Sequence, residues 1–294
     1  MLQRTTHGFN KSVDIFGSPQ VLASAVLYRC GADGEQGGHV LVGKTSVDGR
    51  PRHGKVVGEG SARWFQPVSG DVFGHFEDTG SALPLASLRM LPPVVPRQMW
   101  AVLGGFAGQG PPPRATPRLA PKVVTRLRTE GAIVRPIAGE ESVNCEVELA
   151  LVVGRAIGPG ATSDEIKSAI GGYTVVDDVT SPGLLASGDV SLAKSADGYA
   201  VVGSLIRTDV SDDEIAEGLT LTCRVNGEQR QHGTTADYRF APWQVLAHLA
   251  SYVSLRRQDM IALGTPIPPA LVGPGDLVEL EVSGLGVLRH TVGS

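Results

Sequence analysis

Short runs of valine, leucine and isoleucine, separated every few residues by glycine or proline, extend along the whole chain and predict a mostly β protein. The 38 glycines and 20 prolines among 294 residues supply that punctuation. HVLVGK (39–44) and GKVVGEG (54–60) read as strands of a small sheet. ELALVVG, YTVVDDV, LTCRVNGEQRQ and DLVELEVSGLG read as strands of a larger second half, with Asn226-Gly227 as a type I′ hairpin turn. Between the halves, LPPVVPRQ (91–98) favours an extended connector, because each proline fixes its own φ and biases the preceding residue away from helix. The pattern therefore predicts a small N-terminal β domain at 1–95 and a second domain at 96–294. Helices are few. Thr162 with Glu165, and Ser211 with Glu214, have capping-box spacing at the start of short helices. APWQVLAHLASYVS (241–254) places Leu246, Leu249, Ala250 and Val253 on one helical face. GPPPRATPRLAPK (110–122) is too proline-rich for regular structure and longer than most connections, which marks a functional loop or lid.

One strand begins unusually. In CEVELALVV the odd positions Cys145, Val147, Leu149, Leu151 and Val153 are apolar, while the even positions run Glu146, Glu148, Ala150, Val152. Residues at i and i+2 share a face about 6–7 Å apart, so the two carboxylates repel unless water or a cation separates them. Two readings stand at this point: an amphipathic strand with solvated glutamates, or a cation site. GGYTVVDDVTSPG supplies further acid at Asp177 and Asp178, of which only one can face a common site. A third carboxylate converging on the pair would require a divalent cation, and all-oxygen ligation selects Mg²⁺, Mn²⁺ or Ca²⁺. The chain has no histidine between His75 and His232, so this segment brings no nitrogen ligand of the kind zinc favours.

Composition narrows the partners. With 41% hydrophobic and 19% charged residues and a net charge of -4, nothing favours nucleic acid or an anionic membrane. Cys30, Cys145 and Cys223 have no metal-knuckle spacing and suggest no disulfide framework, which fits a reducing cytoplasm. The start MLQRTTHGFNKS lacks an apolar targeting core, so a cytoplasmic protein is expected.

NCEVELALVVG, GGYTVVDDVTS, LAKSADGYAVVGSLIRT, RVNGEQRQHGTT and ALGTPIPPALVGPGDLVELEVSGLG follow, in order, segments that resemble the fumarylacetoacetate hydrolase family, and LRMLPPVVPRQMWAV resembles that family's entry into its catalytic domain. The resemblance implies a β-rich α+β fold, a mixed β-roll catalytic domain preceded by a small N-terminal domain. It implies a divalent cation, Mg²⁺ or else Mn²⁺ or Ca²⁺, on Glu146, Glu148 and Asp178, with Asp177 where the family usually has asparagine. It further implies that Lys194 pairs with a substrate carboxylate or developing oxyanion, that Thr265 contacts substrate, and, more weakly, that Gln231 does. A homodimer through the catalytic sheet is the implied assembly.

The chain departs from the family at the lid. Where hydrolases of the family carry Asn-Tyr-x-x-His and a partner glutamate to activate water, this chain reads GGFAGQG: Phe106 stands at the tyrosine, Gln109 at the histidine, and the glutamate has no counterpart. Glutamine cannot take a proton near neutral pH. Ser181-Pro182-Gly183 replaces the arginine that often follows the metal aspartate. The expected activity is therefore that of a metal-dependent enzyme acting on a 2-oxo acid or 1,3-dicarbonyl through a metal-stabilised enolate: carbon–carbon cleavage, decarboxylation, tautomerisation or cyclisation. The alternatives are an acylpyruvase-like hydrolase with a substituted base, and a non-catalytic member that binds a small molecule. GGFAGQG does not fit a dinucleotide fingerprint. His232 is kept as an alternative base, and His248, inside a helix, as structural. Cys145 is given no catalytic role.

Overall fold

The computed structural model describes residues 39–58, 62–108 and 115–294. Gln109 and the start of the proline-rich stretch, 110–114, lie outside them, as does the first part of the N-terminal domain. All the described residues belong to one compact unit.

Most of the expected strands form. Leu41–Val47 and Arg50–Val57 make a hairpin, and Thr220–Val225 and Glu228–Thr234 make another, whose turn carries φ 53° at Asn226 and 85° at Gly227. Both central residues being left-handed is what a type I′ turn requires, and asparagine and glycine tolerate it best. Thr162 caps Ser163–Ser168 in a reciprocal box with Glu165, Ser211 caps Asp212–Glu217, and the amphipathic helix runs Pro242–Ala250. Leu246, Leu249 and Ala250 are buried on its inner face.

The described strands form two large packed sheets and a separate two-stranded pair, Val143–Cys145 with Ala270–Val272. Along the larger one lie, in spatial order, Phe76–Asp78, Trp64–Gly70, Arg50–Val57, Leu41–Val47, Leu205–Arg207, Ile170–Asp178, Val147–Val153, Met260–Ala262, Met99–Val102 and Leu119–Lys122. Leu41–Val47, from the N-terminal part, hydrogen-bonds antiparallel to Leu205–Arg207. The smaller sheet runs Glu228–Thr234, Thr220–Val225, Leu277–Val282, Gly286–Val292, Ala132–Val134.

Val147–Val153 sits at the centre of the larger sheet, paired with Ile170–Asp178 on one side and Met260–Ala262 on the other. Its odd residues Val147, Leu149, Leu151 and Val153 join Leu221, Cys223, Leu280 and Leu288 of the smaller sheet in the main core. Its even residues Ala150 and Val152 join Val176, Met99 and Met260 in a second core on the opposite face. Every residue of the strand is therefore buried, and the two-to-one alternation survives only as a choice between cores. No helix among the described residues is long and apolar enough to cross a membrane.

Candidate metal centre

The residues that begin the central strand set the chemistry. Glu146 lies between Val143–Cys145 and Val147–Val153. It is held there by antiparallel pairing that runs past both strand ends: the Asp178 N–H donates to the Glu146 carbonyl at 3.1 Å, and Asn144 and Thr180 exchange N–H···O bonds of 2.9 and 3.0 Å. This pairing brings Asp178 onto the face of the sheet that Glu146 and Glu148 occupy. Carboxylate oxygens of the three residues all lie within 4.8 Å of one another. Asp177, one residue away, faces the main core instead, as strand alternation requires.

The reading of these glutamates as solvated does not hold. Glu146 is 7% and Glu148 1% exposed, because sheet neighbours flank the strand on both sides and side chains cover both faces. Burial, then the charges of Asp178 and Glu146, push the Glu148 carboxyl well above its usual range, against the opposing Lys194 and an N–H from Gly264. That N–H reaches Glu148 Oε2 at 2.6 Å. Burial also raises Glu146, with Lys194 opposing.

Two lysines stand among the acids. Lys194, at the end of the short helix Val190–Ala193, donates through Nζ to Glu146 Oε2 at 2.9 Å, Asp178 Oδ2 at 2.6 Å and Thr180 Oγ1 at 2.9 Å. Burial would lower it, but Asp178, Glu146 and Glu148 together outweigh that and hold it above the usual lysine range, so it stays an ammonium. Lys122, absent from the sequence-based expectations, closes the strand Leu119–Lys122 with its Nζ 2.7 Å from Asp178 Oδ1 and 3.2 Å from the Val179 carbonyl. Its only signal is alternation: Ala120 and Lys122 share the buried face, while Pro121 faces out. Burial tends to raise Asp178, yet the two ammonium groups hold it below the usual carboxylate range.

These groups fit a hard divalent cation. Oxygens up to 4.8 Å apart can share an ion at the roughly 2.0–2.6 Å typical of Mg²⁺ or Ca²⁺. When all five groups are ionised, the three carboxylates exceed the two ammonium groups by one negative charge, with Glu148 the least compensated and burial pulling Lys122 below the usual lysine range.

The charge state has a measurable consequence. A carboxyl raised in the folded state stabilises the fold fully while pH is below its ordinary value, near 4.5, and that contribution is lost as pH climbs through the raised value. Asp178 acts in the opposite sense, but its contribution is complete above its own ordinary value of 3.8 and so is constant across this window. Since a cation binds the ionised form, added Mg²⁺ should raise the melting temperature more at pH 8 than at pH 5.5. Equal increments at the two pH values would contradict this charge assignment.

The remaining expected site residues separate into two kinds. Thr265 is partly exposed beside the centre; its hydroxyl accepts from Gln231 Nε2 at 2.9 Å. Gln231 is buried and uses both amide ends internally, accepting from the Val147 N–H at 3.1 Å and donating to the Pro266 carbonyl at 2.5 Å. Phe106 is buried in the main core, packed edge-on against Tyr238 at 4.9 Å, with its carbonyl accepting from Arg239 at 2.7 Å. The loop that carries it passes so close to the turn at Leu263–Gly264 that a Cβ at Gly105 would meet the Leu263 carbonyl oxygen at 2.3 Å, which is why glycine occupies that position. His232 is exposed on Glu228–Thr234, on the opposite face from Gln231, and His248 packs on Tyr252. Where an arginine was missing, Ser181 instead caps the helix Pro182–Ser187.

Comparison with known proteins agrees with this geometry. The profile of the fumarylacetoacetate (FAA) hydrolase C-terminal domain matches residues 103–293. A bifunctional isomerase/decarboxylase of 4-hydroxyphenylacetate degradation from Salmonella dublin is 37% identical over 52% of this chain and 35% of its own length. The oxaloacetate tautomerase YisK of Bacillus subtilis is 30% identical over 50% of this chain and 51% of its own. The crystal structure of 5-carboxymethyl-2-hydroxymuconate delta-isomerase from Mycobacterium smegmatis superposes with a TM-score of 0.76 at 25% identity, covering 86% of this chain and 99% of that one. With three buried acids gathered where the central strand meets its neighbour and a family profile matching residues 103–293, the chain belongs to the fumarylacetoacetate hydrolase family and is an enzyme.

Proposed function

We propose that the chain is a divalent-metal-dependent enzyme that isomerises, decarboxylates or cleaves a 2-oxo acid or 1,3-dicarbonyl by way of an enolate. The observation that carries this reading is the buried cluster of Glu146, Glu148 and Asp178 with Lys194 and Lys122 at its edge. Glu146, Glu148 and Asp178 would hold the cation, which supplies Lewis acidity toward the substrate's carbonyl and carboxylate oxygens. Lys194, which the neighbouring acids hold above the usual lysine range, spends its three donors on Glu146, Asp178 and Thr180; with a cation on those acids it would turn one toward negative charge developing on the substrate, an interaction strengthened by its water-poor surroundings. Lys122 fixes Asp178 from the other side, and the Gly264 N–H fixes Glu148. The Thr265 hydroxyl makes only a 3.5 Å contact of its own to the Pro266 carbonyl, so its proton can turn to a substrate oxygen; Gln231 holds that threonine in place.

Alongside neighbours named as hydrolases, relatives named for isomerase, decarboxylase and tautomerase activity fit this reading. Each of those reactions removes a proton or a carboxylate next to a carbonyl, a step that needs charge stabilisation above all. Glutamine at 109 favours the same reading, because hydrolysis needs a base that takes a proton from water.

A substrate panel of oxaloacetate, acylpyruvates and cyclic β-diketones, each with Mg²⁺ and with EDTA, tests the proposal. Metal-dependent turnover of oxaloacetate is expected, with acylpyruvate hydrolysis slow and not restored by Gln109→His alone. Acylpyruvate hydrolysis by the unmodified protein at about 1–1,000 per second, the ordinary range for enzymes, would contradict it. Turnover unaffected by EDTA would remove the metal.

A further inference from the structure

Beneath the metal centre, on the other face of the same strands, lies a second buried polar cluster that the proposed chemistry does not use. Asp177, Cys145 and His290 place their polar atoms within 4.8 Å of one another, and all three are buried. His290 comes from Gly286–Val292, in the smaller sheet, where it shares the core-facing side with Leu288 and Val292. A histidine on the otherwise apolar core-facing side of a strand needs a partner, and it has one. His290 Nε2 lies 2.6 Å from Asp177 Oδ2. A carboxylate can only accept, so Nε2 is the donor. The other oxygen, Asp177 Oδ1, accepts the backbone N–H of Glu146 at 2.8 Å. The Cys145 sulfur, 4.0 Å from Nε2, packs alongside as a thiol that burial holds well above its usual range.

Resting on the metal-site reading above, we propose that His290 is a positioning residue for the cation ligand Glu146, acting through Asp177. The chain of contacts crosses the interface between the sheets: imidazole to carboxylate, carboxylate to the Glu146 amide. Glu146 sits in the break between two strands, where its own N–H finds no strand partner among the described residues and takes Asp177 instead. Without the imidazole, Asp177 Oδ2 would be a buried acceptor with no donor, among the costlier defects a core can carry. The carboxylate would then turn toward any available donor, and the Glu146 backbone would move with it.

The test measures Mn²⁺ affinity by calorimetry in folded protein, with melting curves as the control for folding. His290→Leu should weaken Mn²⁺ at least 10-fold. Asp177→Asn in the His290→Leu background should bring affinity back to within 3-fold of wild type, because the amide oxygen still accepts the Glu146 N–H and a neutral side chain costs less to leave partly unpaired. A histidine that merely filled space would not be rescued by a change at Asp177. Should His290→Leu alone fail to fold, the double variant still decides: the proposal requires it to fold and to bind. A folded His290→Leu that binds Mn²⁺ within 3-fold of wild type, or a double variant that is unfolded or binds at least 10-fold more weakly than wild type, overturns the positioning role while leaving the ligand assignment intact. Wild-type protein that takes up no Mn²⁺ overturns both.

Discussion

Glu148→Ala is expected to abolish cation binding and, with it, at least 100-fold of metal-dependent turnover. Partners that merely orient a metal ligand typically cost about 10- to 100-fold in affinity when removed, and Glu148 would be a ligand itself, one of three. It is also the carboxylate with the least local compensation, held by one N–H at 2.6 Å and facing two other acids with only the charge of Lys194 opposing them. The same substitution should raise the stability of the metal-free protein, because the burden of a buried, poorly paired carboxylate is removed. Loss of activity with gain of apo stability is a combination that general damage to the fold does not produce. Calorimetric Mg²⁺ titration and melting curves in EDTA check the two halves separately, and a destabilised apo variant that still binds Mg²⁺ would contradict the assignment.

Lys194→Met should separate binding from chemistry in the opposite way. The methionine keeps much of the stem's volume and removes an ammonium that lies 2.9 Å from Glu146 and 2.6 Å from Asp178. Those two carboxylates keep their geometry through backbone pairing and, for Asp178, through Lys122 at 2.7 Å. The cation should therefore still bind, with affinity unchanged or increased because a competing positive charge is gone. Turnover should fall on the order of 100- to 1,000-fold, the size usual for losing one preorganised donor to a developing oxyanion. Steady-state kinetics at saturating Mg²⁺ checks this; a variant that loses the ion but turns over normally when metal is supplied in excess would show that Lys194 is structural.

The residues explain what the sequence discloses and what it hides. Asn226-Gly227, the Thr162–Glu165 box and the alternation of ELALVVG are local signals, each decided within a few residues, and they form as expected. The Glu146–Glu148 spacing discloses that two acids share a face, but whether that face meets water depends on strands more than 20 residues distant along the chain, Ile170–Asp178 and Met260–Ala262. Lys122 escapes notice because its strand is four residues long and interrupted by Pro121, too short for alternation to announce itself. His290 escapes for a different reason: its role exists only once two sheets are stacked, which brings residue 290 to residue 177. Gln231, expected at the substrate, has its amide engaged by Val147, Thr265 and Pro266, contacts between distant segments that no local pattern discloses.

The central claim is that Glu146, Glu148 and Asp178 together hold one divalent cation. Crystals grown with Mn²⁺ and measured at an energy where manganese scatters anomalously test it directly. The account predicts one anomalous peak per chain, about 2.1–2.3 Å from a carboxylate oxygen of each of the three residues, a range set by the Mg²⁺ and Ca²⁺ distances that bracket a cation of intermediate size. A map with no peak there, or a peak held instead by Cys145, Asp177 and His290, would contradict it.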